Sequence, residues 1–383
     1  MKTDINKFTD KYFLRTREIL QKENLNPYMR AQVFIRKGPG VIAGLNEAVD
    51  FIDKNSDLRK NQGQILTLKD GEIYQSKETQ MVIEGNIQDF VTLETQYLGI
   101  HSAQTTMLND KINIDLNQIT QNVAKVVEQL EGRPLIYFGA RHWDFREDSR
   151  IAKAAFNGGA VGASTDVGAE TVGEKGLGTI PHVLENVYAW KFGKDRAVVE
   201  ATKAFDRHMD SSIPRIALID YNNQEITDSL ICAEEISSLA GFRVDTCGEN
   251  VMQGAYKTEP ENLKAIFGKK FKIPREHEKY WFGNGVTISG VYALRKALNE
   301  NNYKDKTIML TSGFGRIDKI EAFKHAEDIL EMKLFDAVGA GTFFHSRAAT
   351  MDVVAVRENN IWTPISKVGR EFRPNHKLES RLI

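Results

Sequence analysis

The sequence predicts an α/β protein, an irregular α/β barrel over 132–342 joined to an α+β, sandwich-like domain made from 1–131 and 343–383. Three observations predict it. After Pro134, seven short apolar runs (LIYFGAR, GGAVGAST, RIALIDYNN, FRVDTCGEN, WFGNGVT, TIMLTSGFG and LFDAVGAGT) each end in small or polar residues and lead into helical pattern, the mark of parallel βαβ units. That many units in about 210 residues suits a closed or nearly closed barrel better than a separate doubly wound sheet. Before Pro134 strands and helices mix without that alternation. Beyond Thr342 the runs VVAVRENN and IWTPIS predict an antiparallel hairpin about Asn359-Asn360 that returns to the first layer. At 383 residues the chain exceeds one ordinary core, which fits a barrel with an appendage or two domains.

Taken in order, Thr9 is placed to cap a first helix whose Tyr12, Phe13, Thr16, Ile19 and Leu20 follow helical spacing, with Tyr12 near a core edge. A short strand at 32–36 runs through Gly38-Pro39-Gly40 into a helix over Ile42 to Ile52. The Asp70-Gly71 pair between QILTL and EIYQ is the usual signature of a β-hairpin. Helical pattern dominates from Phe90 to Glu131, and the basic, polar tail from Lys367 to Arg381 reads as surface.

Hydrophobic residues make up 41% and charged residues 27%, ordinary for a folded enzyme-sized protein, so disorder is excluded. Net charge is −1, which favours neither nucleic acid nor an anionic membrane, and any anion site must be local. Cys232 and Cys247 form no metal-ligand spacing and no disulfide framework, which fits a reducing cytoplasm. The start MKTDINKFTDKYF lacks the apolar run of a signal peptide, and no stretch of about 18 apolar residues predicts a membrane span.

The stretch Phe138 to His182 gathers Arg141, His142, Arg146, Arg150, Lys175 and His182 around seven glycines between Gly158 and Gly178. Glycine lets main-chain N–H groups approach a ligand, and the surrounding cations point to an anion, although tight turns with a solvated charged face account for the glycines equally well. His182 follows a Gly/Thr turn and a proline, so it is placed rather than tethered. In a parallel barrel the strand ends converge at the carboxyl mouth, where ligands bind. Here they carry Gly139 and Arg141, Ser164 and Thr165, Asp220, Asp245, Asn284, Ser312 and Gly313, and Gly339 and Gly341. The turns Ser312-Gly313-Phe314-Gly315 and Gly339-Ala340-Gly341-Thr342 can aim N–H groups at a phosphate, though each alone is also an ordinary βα turn. Asp220 and Asp245 can hold ribose hydroxyls or Mg²⁺ and stabilise positive charge at an anomeric carbon, or one of them can simply cap a helix. Arg243, on the same side of its strand as Asp245, can neutralise phosphate or pair with the aspartate.

In order along nearly the whole chain, TDKYFLRT, KGPGVIAGLNEA, ETQYLG, FGAR, GGAVGAST, GEKGLGTIPH, RIALID, VDTCG, SGFG and FDAVGAGT resemble the nicotinate phosphoribosyltransferases, most nearly the shorter bacterial and archaeal type. The resemblance implies a type II phosphoribosyltransferase fold. It also implies formation of nicotinate mononucleotide and pyrophosphate from nicotinate and phosphoribosyl pyrophosphate, with Mg²⁺, in NAD salvage. ATP as a co-substrate acting through a phosphorylated histidine is implied at His182. Residue by residue, Phe138 and Tyr12 sandwich the pyridine ring, Tyr12 reaching in from the second subunit of a homodimer with sites at the interface. Arg141 contacts the substrate acid or phosphate. Ser164 stands where nicotinamide users carry an aspartate and so favours a carboxylate. Asp220, Arg243 and Asp245 handle ribose and pyrophosphate, and Gly313 and Gly341 offer N–H groups to the 5′-phosphate. Thr179, Ser312, Gly339 and Thr342 complete the expected contacts.

Three departures from that pattern bear on function. His142 replaces a second arginine, Phe314 replaces a glycine in the phosphate turn and restricts φ there, and two cysteines cannot build the zinc knuckle of many archaeal relatives. They keep two rivals in view: a decarboxylating quinolinate phosphoribosyltransferase, and a non-catalytic binder of phosphoribosyl ligands.

Overall fold

In a computed structural model the chain is described over residues 4–267 and 272–382. Its strands are β1 (Tyr28–Ile35), β2 (Gly40–Val41), β3 (Gln64–Thr67), β4 (Ile73–Tyr74), β5 (Thr79–Asn86), β6 (Leu135–Tyr137), β7 (Gly162–Ala163), β8 (Arg215–Leu218), β9 (Leu239–Val244), β10 (Thr307–Leu310), β11 (Ala337–Ala340), β12 (Ala349–Glu358), β13 (Ile361–Pro364) and β14 (Glu379–Leu382). They form two six-stranded sheets. One is antiparallel, in the order β13-β12-β1-β5-β3-β14; the other is parallel, in the order β7-β6-β11-β10-β9-β8.

The parallel order is that of a barrel with one seam left open. From β6 the chain moves to β7, crosses to β8 at the far edge, then returns through β9, β10 and β11 to lie against β6. No pairing joins β7 to β8 among the described residues. Between them in sequence run the helices His182–Phe192 and Ala197–His208. The architecture is thus a mixed α/β one with a half-barrel beside an antiparallel layer. WFGNGVT is not a strand. Gly283 and Gly285 take φ values of 102° and 81°, which no extended run tolerates, and only a Val251–Gly285 bridge remains.

Strands from both ends of the chain make the antiparallel layer, where β1 pairs with β12 from Tyr28–Arg357 to Ile35–Ala349. The expected C-terminal hairpin is present, with Asn359 and Asn360 both at positive φ. The Asp70-Gly71 hairpin is not. β3 pairs with β5 and β14, whereas β4 pairs with β2 in a separate ribbon. The Asp70 carboxylate accepts from the backbone N–H of Leu45 at 2.9 Å, so it serves the start of the helix Leu45–Asn55. Thr9 likewise does not cap the first helix, Lys11–Lys22: Asp10 holds that position, and the Thr9 hydroxyl donates to the carbonyl of Thr92 at 2.9 Å.

Two hydrophobic cores result. One surrounds the parallel sheet and takes in Ile119, Val123 and Val126 from the helix Leu116–Gln129. The other lies under the antiparallel sheet and takes in Val183, Leu184, Val187, Ala204 and Phe205 from the two seam helices. The helix Glu94–Asp110 is buried on almost every side from Glu94 to Thr106, so its polar groups must find partners inside. His101 illustrates this, with Nε2 2.6 Å from Gln80 and Nδ1 2.9 Å from the carbonyl of Ala43.

Candidate active site

All five strand pairs of the half-barrel are parallel, so every strand of that sheet delivers its carboxyl end to one face. A cleft of about 470 Å³ opens there, between that face and the antiparallel layer. Its half-barrel wall carries Phe138, Arg141, His142, Arg243, Asp245, Ser312, Gly313, Gly339, Gly341 and Thr342, with His182 from the seam. The facing wall is built from Tyr12, Glu94, Arg36, Asp352, Lys367 and Arg370, among others.

Of the fourteen residues singled out from the sequence, eleven line this cleft; Asp220, Ser164 and Thr179 do not. Asp220 stands behind His182. Its Oδ1 is 2.9 Å from His182 Nε2, its Oδ2 accepts from Lys367 Nζ, and its side chain is fully buried. It is therefore screened from the cleft by His182 and Lys367, which it holds in place. Thr179 accepts from Arg243 Nη1 at 2.8 Å and holds that guanidinium in place. Ser164 is buried with its hydroxyl unpartnered, and its carbonyl accepts from the backbone N–H of Lys11. It does not line the cleft.

Within the cleft, Arg141 donates to the Tyr12 hydroxyl and stands 3.2 Å from Asp10. Tyr12 stands beside Arg141 of its own chain, because the helix Lys11–Lys22 packs against its own half-barrel. Lys11 pairs with Asp166 at 2.6 Å, and Arg15 donates to the carbonyl of Gly178. Phe138 lies against Gly339, where a Cβ would sit 2.4 Å from its ring. Only glycine leaves that seat open. The remaining cations of the glycine-rich stretch do not converge: Arg146 and Arg150 are exposed in local ion pairs with Asp144 and Glu147, and Lys175 does not line the cleft.

Phe314 does not narrow the cleft. It is fully buried against Phe323, 5.1 Å between ring centroids, so the turn keeps its opening at Ser312 and Gly313. His142 is no substitute for a second arginine. Burial and the neighbouring Arg141 push its pKa down to about 4, and Nδ1 lies 3.1 Å from the carbonyl of Gly341, so it is neutral at pH 7.

Six cations and four carboxylates line the cleft, and two of those carboxylates are not fully charged at neutral pH. Burial raises Glu94 to about 8 and Asp352 to about 7. The effective balance is more positive than the composition suggests, which suits an anionic ligand. Burial alone would raise Asp220, but Lys367 and then His182 outweigh it and hold the carboxyl below its usual range. Burial lowers His182, with Lys367 adding to the effect and Asp220 opposing it. An ionised Asp220 can only accept, so His182 Nε2 carries the hydrogen and the lone pair of the neutral ring resides on Nδ1. Among the described residues no group of three or more His, Cys, Asp or Glu side chains is placed to hold a metal. Asp245 Oδ1 accepts from the Thr311 hydroxyl at 2.9 Å.

Lys367 is the main residue sequence reasoning missed. Read as surface, it is 5% exposed and its ammonium faces Asp220 and the carbonyl of Asp245. No periodicity marks a residue that folds back from a tail. Glu94 was legible only as part of ETQYLG, and Asp10 only as part of TDKYFLRT.

A family model described as "Quinolinate phosphoribosyl transferase, N-terminal domain" matches residues 10–102, less than half of the chain. No curated protein sequence matches it. Among solved structures, a putative nicotinate phosphoribosyltransferase from Saccharomyces cerevisiae superposes with a TM-score of 0.65 at 13% identity, over 96% of this chain and 94% of its own. A nicotinate phosphoribosyltransferase from Porphyromonas gingivalis gives 0.62 at 13% identity, over 96% and 95%. A nicotinate-nucleotide pyrophosphorylase from Pyrococcus furiosus is 25% identical over 97% of this chain and 80% of its own, but superposes at only 0.44. The fold is that of the first two structures. No helix is long and apolar enough to cross a membrane among the described residues.

Proposed function

We propose that this chain is a phosphoribosyltransferase of NAD salvage that joins nicotinate to phosphoribosyl pyrophosphate, releasing pyrophosphate. One observation carries the reading: a single cleft brings together an aromatic and cationic group, at Tyr12, Phe138 and Arg141, and the open glycine turn Ser312-Gly313. The first suits a flat ring bearing a carboxylate and the second a phosphate. Arg243 and Asp245 line the same cleft, and in this reading they meet the ribose and its leaving group.

The chemistry asks little acid–base help. A pyridine nitrogen carries a free lone pair at neutral pH and attacks the anomeric carbon as the bond to pyrophosphate breaks, the pyrophosphate leaving with the bonding pair. The protein must align the two reactants, hold the leaving group and stabilise positive charge on the sugar. In this reading Arg141 binds the ring carboxylate, Asp245 faces the oxocarbenium-like centre, and Arg243, fixed by Thr179, meets the pyrophosphate. Mg²⁺ carried by phosphoribosyl pyrophosphate would supply charge neutralisation at the leaving oxygens, with Asp245 the cleft carboxylate that would meet it. Coupling to ATP runs through Nδ1 of His182, the nitrogen that Asp220 leaves free. A homodimer and a cytoplasmic setting complete the reading. They rest on the resemblance and on the free thiols of Cys232 and Cys247.

The match of residues 10–102 to a quinolinate-enzyme domain favours a second reading, transfer to quinolinate with loss of carbon dioxide. A dicarboxylate needs a further cation at the ring, and neutral His142 does not supply one. Incubation with phosphoribosyl pyrophosphate, Mg²⁺ and nicotinate, nicotinamide or quinolinate, with and without ATP, separates the readings. Nicotinate mononucleotide from nicotinate is the expected product. Product from quinolinate alone would reject the first reading, and tight ligand binding without turnover would favour a binding protein.

A further inference from the structure

Six Lys or Arg side chains are buried among the described residues: Arg215, Arg243, Arg295, Lys319, Arg347 and Lys367. Burying such a charge is costly unless a carboxylate or another anion offsets it. Four of them are offset within the protein, Arg215 by Asp206, Arg295 by Asp336, Arg347 by Asp110 and Lys367 by Asp220. Arg243 and Lys319 have no such ion pair, and both stand at the carboxyl end of the half-barrel. Arg243 lines the cleft and leaves its Nε without a partner.

Lys319 belongs to the first turn of the helix Ile317–Leu330, and its side chain folds back under the turn after β10. Its ammonium donates to the carbonyl of Ser312 at 3.2 Å and lies 4.2 Å from the centre of the Phe314 ring. Above it the turn is open. A Cβ built on Gly313, which lines the cleft with φ of 90°, would have a single neighbour within 4 Å, the Lys319 ammonium at 3.9 Å. The floor of that opening is therefore a buried cation with donors to spare.

Resting on the proposed function, we infer that Lys319 is the cation that receives the sugar 5′-phosphate in the Ser312-Gly313 turn, with Arg243 free for the other charged end of the substrate. The contact neutralises a charge that the protein leaves unpaired. The charged groups whose fields reach the ammonium are Arg316, which disfavours its charge, and Asp245, which favours it; with burial they bring Lys319 down to about 7. A phosphate dianion restores the proton. At pH 8 binding therefore takes up a proton, because a sugar phosphate is already a dianion there.

The test is calorimetric titration with ribose 5-phosphate, which needs no turnover. Wild-type protein is expected to bind it with uptake of close to one proton at about pH 8, read from heats in buffers of different ionisation enthalpy. Lys319→Met is expected to weaken binding by about tenfold or more, and Lys319→Arg to retain most of it. Wild-type affinity in Lys319→Met, or binding by the wild type without proton uptake, would overturn the inference. The second criterion uses unaltered protein and stands even if the methionine variant does not fold. Ribose 5-phosphate binding that depends on Lys319, in a protein that makes no nucleotide from nicotinate, would reject the proposed function and leave this inference intact. Normal turnover with Lys319→Met unaffected would do the reverse.

Discussion

Asp220 gives up both carboxylate oxygens to buried neighbours, one to His182 and one to Lys367. The two contacts have different consequences. Removing His182 takes away a neutral partner, whereas removing the Asp220 charge leaves the Lys367 ammonium buried alone. His182→Ala is therefore expected to keep the fold and lose ATP stimulation, measured as the ratio of rates with and without ATP. Asp220→Asn is expected to lose about 3–5 kcal/mol of stability as well, read from urea unfolding. Unchanged ATP stimulation in His182→Ala would remove the histidine from the coupling step. Glu94 poses the opposite case. Its carboxyl rises to about 8 in the folded chain through burial, against about 4.3 for an unfolded glutamate. The folded state holds that proton longer, so its contribution is whole below the unfolded value and drains away as pH rises through about 8. Glu94→Gln is expected to flatten the fall in stability across that window, measured by urea unfolding at about pH 5 and about pH 8.5. An unchanged slope would show that Glu94 ionises normally.

The turn that seats Phe138 is a matter of two neighbouring strands rather than one side chain. β6 and β11 are paired through Gly339–Ile136 and Ala340–Tyr137, and the ring of Phe138 crosses back over Gly339. Gly339→Ala is expected to push the ring off its seat, costing about 1–3 kcal/mol by overpacking and weakening binding of the pyridine ring. Titration with nicotinate and with ribose 5-phosphate distinguishes this from general damage, since only the first should suffer. Elements of this kind were legible where chemistry and periodicity agreed. β6, β8, β9, β10 and β11 each combine an apolar run with a polar end. The Asn359-Asn360 hairpin announced itself through residues that accept positive φ. Asp70-Gly71 has the same signature, but long-range pairing of β4 with β2 overrode the local preference. WFGNGVT looked like a strand by hydrophobicity, and its two positive-φ glycines decided against it. Within the cleft, side chains at strand ends could be named from sequence because parallel strands share one mouth. Lys367 and Asp352 could not, since they arrive from the antiparallel layer by a contact no local pattern encodes.

How the two layers hold the cleft between them is set by a few charges that cross it. Besides Arg141–Asp10 and Lys367–Asp220, Glu249, just beyond β9, pairs with Arg36 at 2.6 Å and Lys77 at 2.8 Å, both from loops of the antiparallel layer. Burial would raise this carboxyl, but Arg36 and then Lys77 outweigh burial and bring it down to about 2. A depressed carboxyl contributes stability above the unfolded value of about 4.3. That contribution is lost as pH falls through about 2. Arg36 and Lys77 are 35% and 42% exposed, so solvent screens the pair and its worth at neutral pH is small. Glu249→Gln is accordingly expected to cost only about 1 kcal/mol near pH 7. It should also make acid unfolding between about pH 4 and about pH 2 less steep, as followed by tryptophan fluorescence. Because Arg36 also lines the cleft, the same variant frees a guanidinium beside the ligand. Phosphoribosyl pyrophosphate is therefore expected to bind at least as tightly to the variant as to the wild type, even as the variant loses stability. A parallel loss of both would mean that the layers close around the ligand only when Glu249 ties them together.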